Sequence, residues 1–177
     1  MEIVWIRHTS VEVPQGTCYG QTDVPLKASF TMEAETTYKE FQRVARGIER
    51  VYTSPMSRCR KLAAYCGFPD AIEDARLLEL DFGDWEMQRF EDIKDPRLQL
   101  WYEDYLHVAA TNGESFQDQY TRVCTFIEAL KRAGMQRVAV FTHGGVIRCA
   151  ELYAHCYGIE ESFMHPTPYG GVVSITF

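Results

Sequence analysis

The chain of 177 residues is 46% hydrophobic and 24% charged, with a formal net charge of −7. That composition belongs to a folded domain with a sizeable core and excludes disordered and fibrous classes. The acidic balance argues against a general nucleic-acid or anionic-membrane surface, and no apolar run approaches the roughly 20 residues of a membrane span. Residues 1–6 read as an apolar strand. Residues 9–31 hold Pro14, Gly16, Gly20 and Pro25 and read as a loop across the top of a sheet. Residues 32–49 predict a helix with Phe41, Val44, Ile48 and Val51 on one face. Val51–Thr53 is a short buried strand. Ser54 as N-cap and Pro55 in the first turn then open a helix reaching about Cys66. Residues 71–73 read as a short extended piece, and 77–115 as irregular, with a helix near 97–106. A long helix over about 116–133 turns Phe116, Tyr120, Val123, Ile127 and Leu130 inward, and Gly134 stops it. A strand at 137–141, a helix at about 145–156 and a final strand at 171–177 complete the chain.

Strands alternating with helices predict a three-layer α/β/α sandwich with a mostly parallel central sheet, in one domain spanning residues 1–177. The closing strand, at an edge, is a candidate for pairing across a homodimer. The six cysteines, Cys18, Cys59, Cys66, Cys124, Cys149 and Cys156, form no CxxC pair, so zinc and thioredoxin readings lack their spacing. Cys59/Cys66 and Cys149/Cys156 are each seven apart, which predicts a shared helix face. They read as buried free thiols of a reducing compartment. The N-terminus runs straight into a strand without the n-region and h-region of a signal peptide, and the expected location is the cytoplasm.

Two apolar strands each run into a histidine: Ile3–Ile6 into Arg7-His8, and Val138–Phe141 into Thr142-His143-Gly144-Gly145. In a parallel α/β sheet, ligands bind outside the carboxyl ends of the strands, and an arginine beside one histidine points to a phosphate. Thr53-Ser54-Pro55-Met56-Ser57-Arg58 places a guanidinium at a helix start just past a strand end, where it can fork onto phosphate oxygens. Leu78–Glu86 sets acids among apolar and aromatic neighbours, an environment that tunes a carboxyl for proton transfer. The glycines after His143 free backbone N–H groups to approach an anion. Taken singly, each segment also fits a strand cap, a surface arginine, a solvated acidic loop or a tight turn.

Together, and in this order, the four segments resemble the histidine phosphatase (phosphoglycerate-mutase-like) superfamily over nearly the whole chain. The resemblance implies that His8 is the nucleophile that becomes phosphorylated, that Arg7, Arg58 and His143 surround the phosphate, and that Glu79, four residues before Gly83, is the proton donor. Cys18–Leu26, Phe82–Met87 and Thr111–Phe116 look like the α-ribazole phosphatase branch, which removes the 5′-phosphate of α-ribazole phosphate or of adenosylcobalamin phosphate in cobalamin synthesis. The implied activity is a phosphomonoesterase on a small-molecule phosphate ester. A phosphoglycerate mutase, a broader small-molecule phosphatase and a non-catalytic phospho-ligand binder are the competing readings. The family's first motif continues Gly-Glu-Thr and then Asn; here Thr9, Ser10 and Val11 follow, and Pro14 stands at the Asn position. Gln21 or Thr22 is the expected replacement contact, with Gly144 a further binding position. Met87 stands where a Gly often follows the Trp-Glu pair.

Two arginines at the phosphate take the place of the Mg²⁺ clamp of other phosphoryl-transfer enzymes, so no metal or other cofactor is expected. A neutral His8 ring, its second nitrogen donating to a backbone carbonyl, and a protonated His143 on an equatorial oxygen complete the expected site. Trp85 and the 101–105 stretch either wall a specificity pocket or pack in the core. His107, His155 and His165 fall outside every motif.

Overall fold

The structure, a computed structural model, describes residues 1–177. Its centre is a five-stranded sheet built from β1 (Glu2–Arg7), β2 (Arg50–Thr53), β3 (Ile72–Glu73), β4 (Arg137–Thr142) and β5 (Val172–Thr176), in the order β3-β2-β4-β1-β5. The first four run parallel, and β5 lies antiparallel to β1 at one edge. The helices are α1 (Phe30–Val44), α2 (Ser57–Tyr65), α3 (Arg97–Glu103), α4 (Phe116–Arg132), α5 (Gly144–Tyr153) and α6 (Ile159–Ser162). None is long and apolar enough to cross a membrane.

Side-chain alternation along the central strands builds the three layers. Ile3 and Trp5 of β1, with Val138 and Val140 of β4, pack against Phe126 and Ile127 of α4 and Ile147 of α5. Val4, Ile6, Ala139 and Phe141 turn to the opposite face and meet Phe41 of α1 and Leu62 of α2. Because both faces are covered, the interiors of β1 (Ile3–Ile6) and β4 (Val138–Phe141) are apolar without interruption, as strands of a parallel sheet are. The expected α/β/α sandwich with a mostly parallel sheet is the observed fold.

Local boundaries differ in instructive ways. Helix α1 ends at Val44, not at 49, because Gly47 turns the chain with φ +79; Ile48 packs on the same cluster from beyond the helix. Ser54 does not cap α2. That helix starts at Ser57, whose N–H and hydroxyl both donate to Asp23 at 3.1 and 2.8 Å. The predicted stop at Gly134 holds, with φ +72, and α4 gains a capping box in which Ser115 and Asp118 bond reciprocally. Cys156 is exposed and Cys124 half-buried, against the expectation of buried thiols. Cys149 and Cys156 share no helix face, since α5 stops at Tyr153 and His155 takes a left-handed φ of +57.

Candidate active site

The carboxyl ends of β1, β2 and β4 lie side by side, so the register that pairs Arg7 with Thr142 also brings His8 next to His143. The two rings meet edge to face, with centroids 5.2 Å apart. A cavity of about 580 Å³ opens beside them, lined at this end by Arg7, His8, Tyr19, Arg58, Glu79 and Tyr169. Thus four separate stretches of the sequence, each singled out by its residue types, converge at one sheet edge.

The His8 ring is 3% exposed. Its Nδ1 lies 2.7 Å from the carbonyl oxygen of Thr9; a carbonyl only accepts, so Nδ1 carries the proton. Burial, then the charge of Arg58, pushes the ring's pKa down to about 3, and the Thr9 hydrogen bond only partly opposes this. The ring is therefore neutral near pH 7, with the lone pair on Nε2. His143 is fully buried and held well below the ordinary value, first by burial and then by the charges around it. Both effects work against the protonated form of the ring expected from the sequence. Its Nε2 instead shares a hydrogen bond of 2.8 Å with the Ser54 hydroxyl, which is why Ser54 does not serve α2.

Both guanidiniums are tethered to carbonyls rather than to carboxylates. Arg58 is fully buried and donates to Thr22 O at 2.8 Å and Gly20 O at 2.5 Å. Arg7 donates to Thr167 O at 2.5 Å and lies 4.1 Å over the ring of Tyr169. The Nε of each is buried with no partner in the protein, and such orphaned donors fit an anion. Tyr19 and Tyr169 join their hydroxyls at 2.8 Å across this end.

Glu79 is fixed by three N–H donors. Gln119 reaches Oε1 at 2.8 Å, Leu80 N reaches it at 3.0 Å, and Gly145 N reaches Oε2 at 3.1 Å. A side chain at 145 would push this carboxylate and the Gln119 amide out of place, so their present geometry depends on the second glycine after His143. Arg122 of α4 holds the backbone beneath, donating to Arg76 O, Leu78 O and Glu79 O at 2.7, 2.6 and 2.9 Å. The same guanidinium pairs with Glu114 at 2.7 and 2.9 Å, which gives the Thr111–Phe116 motif a positioning task. Neither Gln119 nor Arg122 stands in a motif; only their place on the α4 sequence marks them.

The expectation that Gln21 or Thr22 replaces the Asn contact is not met. The Glu86 carboxylate takes the N–H groups of Gly20, Gln21 and Thr22 at 3.0, 2.9 and 3.2 Å, and the Thr22 hydroxyl at 2.7 Å. The Gln21 amide turns to Glu79 O at 3.1 Å. Neither residue lines the cavity; Tyr19 does, as do Gly144 and Gly145. Pro14 is exposed. Although burial alone would raise the pKa of Glu86, these donors hold it below the usual carboxylate range.

Leu80, Phe82, Trp101, Tyr105, Phe116 and Phe163 give the same cavity apolar walls. Trp101 and Tyr105 thus wall the pocket. Tyr102 points to solvent, and Trp85 is buried in a satellite cluster with its indole N–H on Asp95 at 2.8 Å. His165, set aside in the sequence, lines the cavity as well, as do Arg148 and Glu151. His107 and His155 do not. Three arginines against two glutamates make the lining positive within an acidic chain.

Comparison with known proteins bears on this geometry. The sequence profile described as "Histidine phosphatase superfamily (branch 1)" matches residues 3–177. The chain is 28% identical to Phosphoserine phosphatase 1 of Hydrogenobacter thermophilus over 170 residues, 92% of this chain and 79% of that protein. It is also 28% identical to the Adenosylcobalamin/alpha-ribazole phosphatase of Salmonella typhimurium over 155 residues, 83% of this chain and 76% of that one. Among solved structures, the alpha-ribazole phosphatase from Shigella flexneri superposes with a TM-score of 0.86 at 25% identity, covering 100% of this chain and 91% of that one.

Proposed function

The chain belongs to the histidine phosphatase superfamily, and from that premise we propose that it is a phosphomonoesterase working through a phosphohistidine on His8, with α-ribazole 5′-phosphate as substrate. The observation that carries the reading is the tautomer of His8. A neutral ring with its proton committed to Thr9 presents a bare Nε2 at the end of the cavity that also holds Arg7 and Arg58, each with a buried, unused Nε donor.

The chemistry follows from these residues. A phosphate monoester carries close to two negative charges near neutral pH, and a nucleophile must be shielded from them. Arg7 and Arg58 supply fixed positive charge and N–H donors, stabilising the equatorial oxygens as charge moves. His8 Nε2 attacks phosphorus, the P–O bond to the leaving group breaks, and Glu79 gives that oxygen its proton. Glu79 then takes a proton from the water that attacks the phosphohistidine, releasing inorganic phosphate and restoring the neutral ring. His143, tied to Ser54 through Nε2, packs edge to face against the His8 ring and holds its orientation. No step calls for a metal.

The size of the cavity and its aromatic walls support an ester with a large flat leaving group. The test is phosphate release, with EDTA present, from α-ribazole 5′-phosphate, phosphoserine, 3-phosphoglycerate and p-nitrophenyl phosphate. A kcat/KM for α-ribazole 5′-phosphate at least tenfold above the others, abolished by His8→Ala, is the expected result. Comparable slow rates on all four would overturn the substrate. Isomerisation of 3-phosphoglycerate without phosphate release would make the protein a mutase.

A further inference from the structure

Helix α5 carries the cavity from one end to the other. It begins at Gly144, against the guanidinium of Arg7, and its inner face sends Val146, Ile147 and Ala150 into the core. Arg148 and Glu151, three residues apart and so on one side of the helix, both line the cavity. At 1.5 Å per residue they stand about 6 and about 10 Å along the axis from Gly144. Neither has a task in the phosphoryl-transfer chemistry.

Both are built in rather than left over. Arg148 is held in place: its Nε donates to Ser162 O at 3.4 Å, and its guanidinium lies 4.1 Å over the ring of Phe163. Phe163 in turn meets Tyr105 edge to face at 5.0 Å and Phe116 at 6.3 Å, so the charge emerges from an aromatic wall. Glu151 is 7% exposed. Burial raises its pKa, while Arg148 and His165 act on it through space without closing an ion pair. No group of the protein bonds this carboxyl, and it faces the cavity, so it is free to accept hydrogen bonds from a ligand there.

We propose that Arg148 and Glu151 form a leaving-group subsite that grips the polar edge of a nucleoside-like group whose flat faces lie against Tyr105, Phe116 and Phe163. Glu151 accepts hydrogen bonds from sugar hydroxyl donors, and Arg148 donates to oxygen or ring nitrogen acceptors one turn nearer the phosphate. The inference rests on the phosphomonoesterase reading and assigns the residues that hold its leaving group. A phosphorylated amino acid also offers a carboxylate and an ammonium to such a pair. It would leave the aromatic walls and most of the 580 Å³ unfilled, and the nucleoside-like class is therefore favoured.

Binding to a His8→Ala protein separates this subsite from catalysis. Calorimetry would give the affinities of α-ribazole 5′-phosphate, phosphoserine and inorganic phosphate. The parent should bind α-ribazole 5′-phosphate at least tenfold more tightly than phosphate. Adding Glu151→Gln, or separately Arg148→Met, should cut that ratio at least tenfold; having two variants guards against one that fails to fold. A ratio unchanged in both variants, no preference over phosphate in the parent, or tighter binding of phosphoserine would each overturn the proposal. Hydrolysis by the wild-type protein is scored separately, so an absence of turnover alongside selective, Glu151-dependent binding would fail the phosphatase reading and leave the subsite standing.

Discussion

Acid should destabilise this fold through His8, by an amount the structure sets. The folded ring titrates near 3, whereas an unfolded histidine titrates near 6.5. Between those values the unfolded chain holds a proton that the folded chain refuses. Stability rises with pH wherever the unfolded state binds more protons. The contribution is therefore complete above about pH 6.5 and is lost as the pH falls toward 3. Each unit inside the window costs about 1.4 kcal/mol, so going from pH 6.5 to pH 4 removes about 3 kcal/mol through this ring alone. For a chain of this length that is about 6–12 °C in Tm. His143, buried and also lowered, pushes in the same direction. The perturbation is His8→Asn, whose amide can donate to Thr9 O as Nδ1 does but does not titrate. Thermal and urea unfolding, followed by circular dichroism from pH 7.5 to pH 4, would give the two stability curves. Their difference should shift by about 3 kcal/mol in favour of the variant on the acid side. Parallel curves would refute a His8 ring kept neutral by burial, and with it the bare Nε2.

Two further outcomes follow from Glu79 and Met87. Glu79→Gln should lower kcat on an alkyl phosphate ester by about 10²–10⁴ and on p-nitrophenyl phosphate by less than about tenfold, since a good leaving group needs little proton donation; steady-state kinetics showing equal losses would remove Glu79 from the acid role. Met87 is exposed and holds φ +63, a conformation costing an ordinary side chain about 1–2 kcal/mol. Met87→Gly should therefore stabilise the fold by about 0.5 kcal/mol after the added entropy of an unfolded glycine, read as a small rise in urea midpoint.

What the sequence made legible was what neighbouring residues decide. The interiors of β1 and β4 show as unbroken apolar runs because both of their faces are buried, and the histidines that end them were visible for the same reason. What it hid was non-local. The Ser54-Pro55 pair has the local form of a helix start, but His143 takes the Ser54 hydroxyl from 89 residues away, and Asp23 caps α2 from 34 residues away. Gln21 and Thr22 are polar and near the site in sequence, yet Glu86 takes them from the far side. Apolar spacing ran past the end of α1 because a turn lays the half-buried Ile48 on the same cluster that the helix uses. Arg148 and Glu151 did leave a signal: two charges three apart on a helix that follows His-Gly-Gly and is otherwise apolar on its buried side.

The role of Glu86 shows how an acidic protein keeps a cationic pocket usable. An ion pair between Glu86 and Arg58 would have cancelled the charge that a phosphate requires. Instead the carboxylate binds the N–H side of residues 20–22, and Arg58 binds the C=O side of Gly20 and Thr22. The Gly20–Gln21 peptide unit, whose C=O binds Arg58 and whose N–H binds Glu86, is polarised by both partners, so acid and base stabilise one loop without touching. Hydrogen bonds to charged groups contribute about 1.5–3 kcal/mol each, which offsets part of the cost of burying the guanidinium while leaving its charge uncompensated. The loop also carries Tyr19, whose hydroxyl meets Tyr169 over the phosphate end. Holding the loop, keeping Arg58 charged and roofing the site are thus one arrangement, and it depends on a carboxylate that never enters the cavity.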